Sequence, residues 1–244
     1  VISVLTFSPG EIYWQRFGHN ALLVREQGRA VVYNYGIFDF QQEDFLLNFA
    51  RGRMQYLLAQ EPFAQTLALY RHEGRAVVEQ QLDLTPEQAI ALRDFLVINA
   101  LPENAEYRYD YFLSNCSTKL RDAIDLALDG QLRAQLEALP AAQNFRQQVV
   151  RLTAPDLPLM LGLDMVLGPA ADRPRSLWEE SFVPMVLQAA LRDAVRINEQ
   201  GERVPLVRVE RQLVTPRLAG PADSPPRLWP AFLLIGLTMG GALF

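Results

Sequence analysis

His19 to Tyr35 reads HNALLVREQGRAVVYNY, and this stretch decides the fold. His19–Val24 and Val31–Tyr35 are two strand-like runs, and Gln27-Gly28 between them marks the turn of an antiparallel hairpin. Side chains alternate along a strand, so His19, Ala21 and Leu23 take one face and Asn20, Leu22 and Val24 the other. Pairing symmetric about the turn sets Val32, Asn34 and Gly36 opposite Leu23, Ala21 and His19. Asn34 then shares the face of His19, diagonal to it and within side-chain reach. A slip of one residue would move it to the other face.

Outward from the hairpin, VISVLTF (Val1–Phe7) opens as a strand with no Met or charged segment before it, which reads as a chain whose leader has been removed. Downstream, the pattern gives a helix over Gln41–Phe49, a short strand over Gln55–Leu58, a helix over Phe63–Tyr70 and a strand over Ala76–Leu84. Thr85-Pro86-Glu87-Gln88 is a capping box with proline at the first helical position, opening a helix to about Ala100. After the aromatic loop YRYDYF, a helix spans Asn115–Leu128 and ends at Gly130. Short helices broken at Pro140, Pro155, Pro158, Pro169 and Pro184 follow, with a second capping box at Ser176-Leu177-Trp178-Glu179. Val204–Val214 returns to alternation and predicts a strand, so the fold class is α+β.

With 244 residues, 50% of them hydrophobic and 21% charged, the chain can bury a substantial core. A net charge of −5 argues against a non-specific nucleic-acid binder, which needs basic surface to displace counterions. One cysteine and two histidines leave no internal disulfide and no cysteine-rich zinc site, and a zinc site would have to draw on carboxylates, so a metalloenzyme is not the favoured reading; thiol chemistry at the single cysteine requires neither metal nor organic cofactor. At the other end, GPADSPPR precedes LWPAFLLIGLTMGGALF (Leu228–Phe244), seventeen residues without a charge. A membrane helix needs roughly 20, so this run reads as a transmembrane helix cut short, with a buried core helix as the rival reading. The expected organisation is one domain over 1–215, a linker over 216–227 and the apolar helix over 228–244.

Cys116 begins the chemistry. Leu120, Ile124 and Leu128 follow it at steps of four, which puts the thiol on the buried stripe at the first turn of its helix. Orphan N–H groups there favour thiolate over thiol. A lone buried cysteine is also commonly an inert core residue, and a histidine such as His19 a satisfied one. Together with Asn34, however, they make a nucleophile, a base and an amide that can fix the base's tautomer. Tyr109 and Asp110 can line such a site or simply pack and cap their loop. Arg51 and Arg53 can meet a lipid phosphate or end a solvated helix, and His72 reads as a cap or surface residue.

QRFGHNALLV (Gln15–Val24), YNYGIFDF (Tyr33–Phe40), NFARGRM (Asn48–Met54) and YRYDYFLSNCSTKLRDAID (Tyr107–Asp125) together resemble the Lnb-type N-terminal periplasmic domain family. The likeness continues more loosely through RLTAPD and RPRSLWEESFVPM, so it covers most of residues 1–215. The resemblance implies a permuted papain-like fold of the NlpC/P60 and lecithin:retinol acyltransferase kind, with the histidine strand ahead of the cysteine helix. It carries over Cys116 as nucleophile and His19 as base, while Asn34 rests on the hairpin register. It also implies a bacterial inner-membrane protein with this domain on the periplasmic face, N-acylating lipoproteins. The expected activity is therefore transfer of a fatty acyl group from phospholipid, through a thioester, to a lipoprotein amine. An apolar rim from Trp14, Phe38 or Phe40 would surround the cysteine groove. Two other readings stand beside it: a papain-type cell-wall amidase or peptidase, and an inactive membrane-tethered binding module.

Overall fold

β1 (Ile2–Phe7) is buried along its whole length, because the computed structural model, which describes residues 1–38 and 55–241, sets it inside a seven-stranded sheet. Its neighbours are β2 (His19–Glu26), β3 (Arg29–Phe38), β4 (Gln55–Pro62) and β6 (Glu106–Arg108) on one side, and β5 (Val77–Leu82) and β9 (Val207–Val214) on the other. The order is β6-β4-β3-β2-β1-β5-β9, antiparallel throughout. β7 (Val195–Ile197) and β8 (Arg203–Pro205) form a separate ribbon. The β2–β3 hairpin adopts the expected register, Leu22 opposite Tyr33 and Leu23 opposite Val32. Its turn places Gln27 at φ 49° and Gly28 at φ 78°, the left-handed pair that a two-residue hairpin of the right twist requires.

The alternation of β2 and β3 divides the core. Leu22, Val24, Tyr33 and Tyr35 face α2 (Pro86–Asn99), α4 (Cys116–Ala127), α5 (Gln131–Glu137) and α9 (Pro184–Asp193). Ala21, Leu23 and Val32 join Leu5, Phe7 and Val77 beneath Tyr70 of α1 (Phe63–Glu73). A third cluster, Phe145, Leu152, Phe182 and Val183, ties α6 (Phe145–Thr153) to the segment entering α9. The remaining helices are α3 (Pro102–Ala105), α7 (Leu157–Val166), α8 (Leu177–Glu180) and α10 (Trp229–Gly241).

Both capping boxes form, at Thr85 and at Ser176. The strands depart from the sequence reading in several places: β3 is longer at both ends than the expected Val31–Tyr35, and β7 has no counterpart in it. β4 runs on to Pro62 because β3 supplies partners from Tyr56 to Pro62, and β6 takes in the first two residues of the aromatic loop because β4 has a free edge there. The expected strand over 204–214 divides around Leu206 into β8 and β9. The expected helix over 41–49 lies outside the described residues.

α10 is uncharged and 13 residues long, about 20 Å at 1.5 Å per residue, against about 30 Å of bilayer hydrocarbon. Among the described residues no helix is long and apolar enough to cross a membrane. The chain ahead of α10 is held against α6 and its approach: Arg151 Nη1 donates to the Ala222 carbonyl at 2.9 Å and Gln143 Nε2 to that of Asp223 at 2.7 Å.

The start of α4 is fixed by Asn115. Its side-chain oxygen accepts from Thr118 N at 2.9 Å, Thr118 Oγ1 accepts from Asn115 N at 2.8 Å, and Asn115 Nδ2 donates to Tyr111 O at 3.1 Å and to Phe182 O at 2.9 Å. Asn115→Ala is expected to cost about 2 kcal/mol, from a lost cap of about 1 kcal/mol plus a buried carbonyl left unpaired. Asn115→Asp, which keeps the acceptor and loses the amide donor, should cost less than Ala. Urea unfolding of the two variants checks this, and equal midpoints would remove the cap from the account.

Candidate active site

Cys116 occupies the first position of α4, and Leu120, Ile124 and Leu128 behind it are almost fully buried, so packing of the stripe sets the thiol's position. Cys116 as a residue is half-buried. His19 begins β2, and its ring stacks on Phe7 at 5.8 Å between centroids, with Phe7 in turn stacked on Tyr70 at 3.7 Å. This places the imidazole by its register on the α1 side of the sheet, whereas α4 packs on the other side. The two meet at the end of β2, beside Gly36.

Gly36 makes that meeting possible. β3 shifts register between Tyr35 and Ile37, and Gly36 in the shift has φ +94°, a conformation that L side chains rarely adopt. A Cβ built there would lie 3.5 Å from Cys116 Cβ, 3.8 Å from the Tyr107 hydroxyl and 3.9 Å from His19 Cε1. Gly36 thus marks the space shared by all three side chains. Gly36→Ala is expected to cost about 1–2 kcal/mol from its left-handed backbone and to slow alkylation of Cys116 by a bulky reagent. A thermal melt and an alkylation time course read the two effects separately; an unchanged melt would contradict the strain.

His19 Nε2 hydrogen-bonds the Oδ1 of Asn34, which is buried. An amide oxygen only accepts, so Nε2 carries the proton and Nδ1 is left for the thiol. Burial alone pushes the Cys116 thiol up, but the charge of His19, its hydrogen bond and the backbone N–H groups of Asn20 and Ser117 outweigh that, leaving the thiol below its ordinary value. Burial likewise pushes His19 down, and the Cys116 charge, the Cys116 hydrogen bond and Asn34 overcome it, raising the imidazole above its ordinary value despite the Arg75 charge. The opposite shifts each favour the charged form, thiolate on Cys116 and imidazolium on His19, relative to the free side chains.

Of the other expected site residues, Tyr109 stacks on Tyr56 at 4.1 Å and its phenol is held well above the ordinary value by burial and then by the charge of Cys116. Asp110 is exposed and caps its own loop, Oδ1 accepting from Phe112 N at 2.9 Å and Leu113 N at 2.8 Å. Arg51 and Arg53 lie outside the described residues, as does the side chain of Phe38 and all of Phe40. His72 lies in the last turn of α1, where its carbonyl accepts from Arg217 Nη2 at 2.6 Å. The hairpin register sets Gly36 opposite His19, but neither its left-handed backbone nor the place of the Tyr107 hydroxyl beside it has a signal in the sequence. That hydroxyl is buried with no hydrogen-bond partner beside the thiol and imidazole, and burial followed by the Cys116 charge pushes its pKa far up. Among the described residues no group of three or more His, Cys, Asp or Glu is placed to hold a metal.

Comparison with known families matches residues 1–153 to the Lnb N-terminal periplasmic domain. RPRSLWEESFVPM, from Arg173 onward, falls beyond the matched residues. Neither the curated proteins nor the solved structures contain a significant match. The matched region holds β1, the β2–β3 hairpin and all of α4, and so Cys116, His19 and Asn34 together. This chain therefore belongs to the Lnb N-terminal periplasmic domain family, a family of periplasmic domains.

Proposed function

We propose that this protein is a cysteine acyltransferase, moving a fatty acyl group from a phospholipid to an amine through a thioester on Cys116. The observation that carries the reading is the polarised thiol–imidazole–amide row of Cys116, His19 and Asn34 at a helix start, in a member of this family. In the first half, His19 Nδ1 takes the thiol proton and the sulfur attacks an ester carbonyl carbon. Negative charge develops on the carbonyl oxygen, where the Cys116 backbone N–H and the unpaired Tyr107 hydroxyl supply donors. Collapse breaks the ester C–O bond, the lyso-lipid oxygen leaves with the proton held by His19, and the acyl group stays on sulfur. In the second half an amine attacks the thioester, His19 takes its proton, and the thiolate departs with the amide formed. The acceptor is the N-terminal amine of a lipid-modified lipoprotein.

The fold belongs to this reading as a permuted papain-like domain, since the histidine strand precedes the cysteine helix and both serve one antiparallel sheet. Residues 1–215 form the catalytic domain, 216–227 connect it, and the apolar stretch from Leu228 contributes to anchoring at the inner membrane. Incubation with phospholipid and a diacylated lipopeptide, and separately with muropeptides, tests the substrate. Acylated lipopeptide with lyso-lipid release supports the proposal, while cleavage of muropeptides alone would replace it with a cell-wall amidase.

A further inference from the structure

Two loops lead directly into the paired side chains, and both carry exposed apolar residues. The β1–β2 loop ends at His19 and turns through a short helix at Tyr13–Gln15, exposing Tyr13 and Trp14 by 61% and 62%. The loop from Asp110 to Ser114 ends at the cap of α4 and exposes Leu113 by 66%. Neither exposure comes from a loose loop. Gly10 N and Gly18 N each donate to Gln15 O at 3.0 Å, and Gln15 Nε2 donates to Glu73 Oε1 at 3.1 Å. Asp110 and Ser114 are bridged backbone to backbone, and the Phe17 ring meets Tyr111 edge-on at 4.8 Å, joining the two loops. Tyr13 is near enough to Tyr56 to raise its phenol pKa after the larger effect of burial, and Tyr56 stacks on Tyr109 near Cys116. The β1–β2 loop, which ends at His19, and the thiol therefore border the same ground.

Arg16 lies within this loop, two residues beyond Trp14. Its Nε is buried without a hydrogen-bond partner, and among the described residues its guanidinium joins no ion pair. Arg25, Arg93, Arg146 and Arg192 all hold carboxylates. A planar cation left unmatched beside exposed aromatic rings suits one surface better than any other: the bilayer interface, where rings sit at headgroup depth and a guanidinium meets phosphate through two parallel hydrogen bonds. The 110–114 loop also leans on α6, through Phe112 stacked on Phe145 at 4.5 Å, and Arg151 of α6 holds the chain that leads into apolar α10.

We propose that the β1–β2 loop and the 110–114 loop form a phospholipid-docking surface at the mouth of the Cys116 site, in which Tyr13, Trp14 and Leu113 enter the headgroup region and Arg16 binds the phosphodiester of the lipid. The proposal deepens the phospholipid-donor reading and rests on it, by naming the residues that seat the donor beside the thiol.

The test uses the full chain carrying Trp229→Phe, which leaves Trp14 as the exposed tryptophan because Trp178 is buried. It is mixed with phosphatidylglycerol–phosphatidylcholine vesicles containing brominated phosphatidylcholine, and binding is followed in parallel by co-sedimentation. Bromine should quench the Trp14 emission at least about twofold, with protection from acrylamide, because the ring enters the interface. Arg16→Gln should raise the lipid concentration for half-quenching about fivefold, the effect of one basic contact near the surface, and Arg16→Lys should fall between. Inorganic phosphate at equal phosphorus concentration should not compete. The proposal is overturned if Trp14 stays open to acrylamide on sedimented vesicles, if Arg16→Gln quenches like its parent, or if free phosphate competes equally. Quenching reads docking without chemistry at Cys116, so failed docking and failed acyl transfer are seen separately.

Discussion

Cys116→Ser is expected to abolish acyl transfer, lowering turnover by about a thousandfold or more, with little change in the melting temperature. A serine hydroxyl is nearly the size of a thiol and keeps the first turn of α4 intact, since the cap belongs to Asn115 and Thr118. What it loses is ionisation. The balance at this position, in which His19 and two backbone N–H groups outweigh burial, brings a thiol below its ordinary value of about 8.5, whereas a hydroxyl starts far too high for the same influences to ionise it. Turnover by the serine variant within tenfold of the parent would mean that sulfur does not form the covalent bond.

His19→Ala should be almost as damaging, by about a hundredfold to ten-thousandfold, because it removes both the proton acceptor and the charge that lowers the thiol. The sign of the pH effect follows from the opposing influences. In the parent, the thiol is lowered and the imidazole raised, so alkylation by iodoacetamide should continue below the ordinary thiol range. In the alanine variant the largest influence on Cys116, burial, loses its main opponent, and the thiol should move up rather than merely back toward its ordinary value. Alkylation near pH 7 should fall accordingly and recover only at higher pH. Asn34→Ala should have the same direction and a smaller size, since Asn34 acts on the thiol only through the ring it holds. A His19→Ala profile that overlays the parent would dissolve the pair.

The hairpin was legible because its turn and its alternation agree. Gln27-Gly28 allows one tight geometry, that geometry fixes Leu23 opposite Val32, and the side of Asn34 follows by parity. The cysteine helix was legible for a similar reason, its apolar step of four starting at Cys116 and its end marked by Gly130, whereas the Asn115 cap is a finding of the structure. Parity along a strand does not reveal where two elements from opposite sides of a sheet meet. His19 lies on the α1 side and Cys116 comes from a helix on the other, and they meet at the end of β2, where β3 shifts register at Gly36. A lone glycine in a strand-like run is a weak hint of such a shift. The Tyr107 hydroxyl was hidden for another reason: YRYDYF has no period, and β6 exists because β4 offers a free edge to Glu106–Arg108. Pairing across chain distance, not local pattern, turned that tyrosine toward the thiol. Trp14 was expected at the rim and is exposed, while the neighbouring unpaired Arg16 became informative only once its surroundings were known.

The most direct measurement of the central claim is the intact mass of the full chain after exposure to phospholipid of a single acyl composition. The account predicts a gain of one acyl group in place of one hydrogen, located to the peptide bearing Cys116, removed by neutral hydroxylamine as a thioester is, and absent from Cys116→Ser. An unmodified mass while the thiol still reacts with iodoacetamide, or an equal adduct on the serine variant, would contradict it.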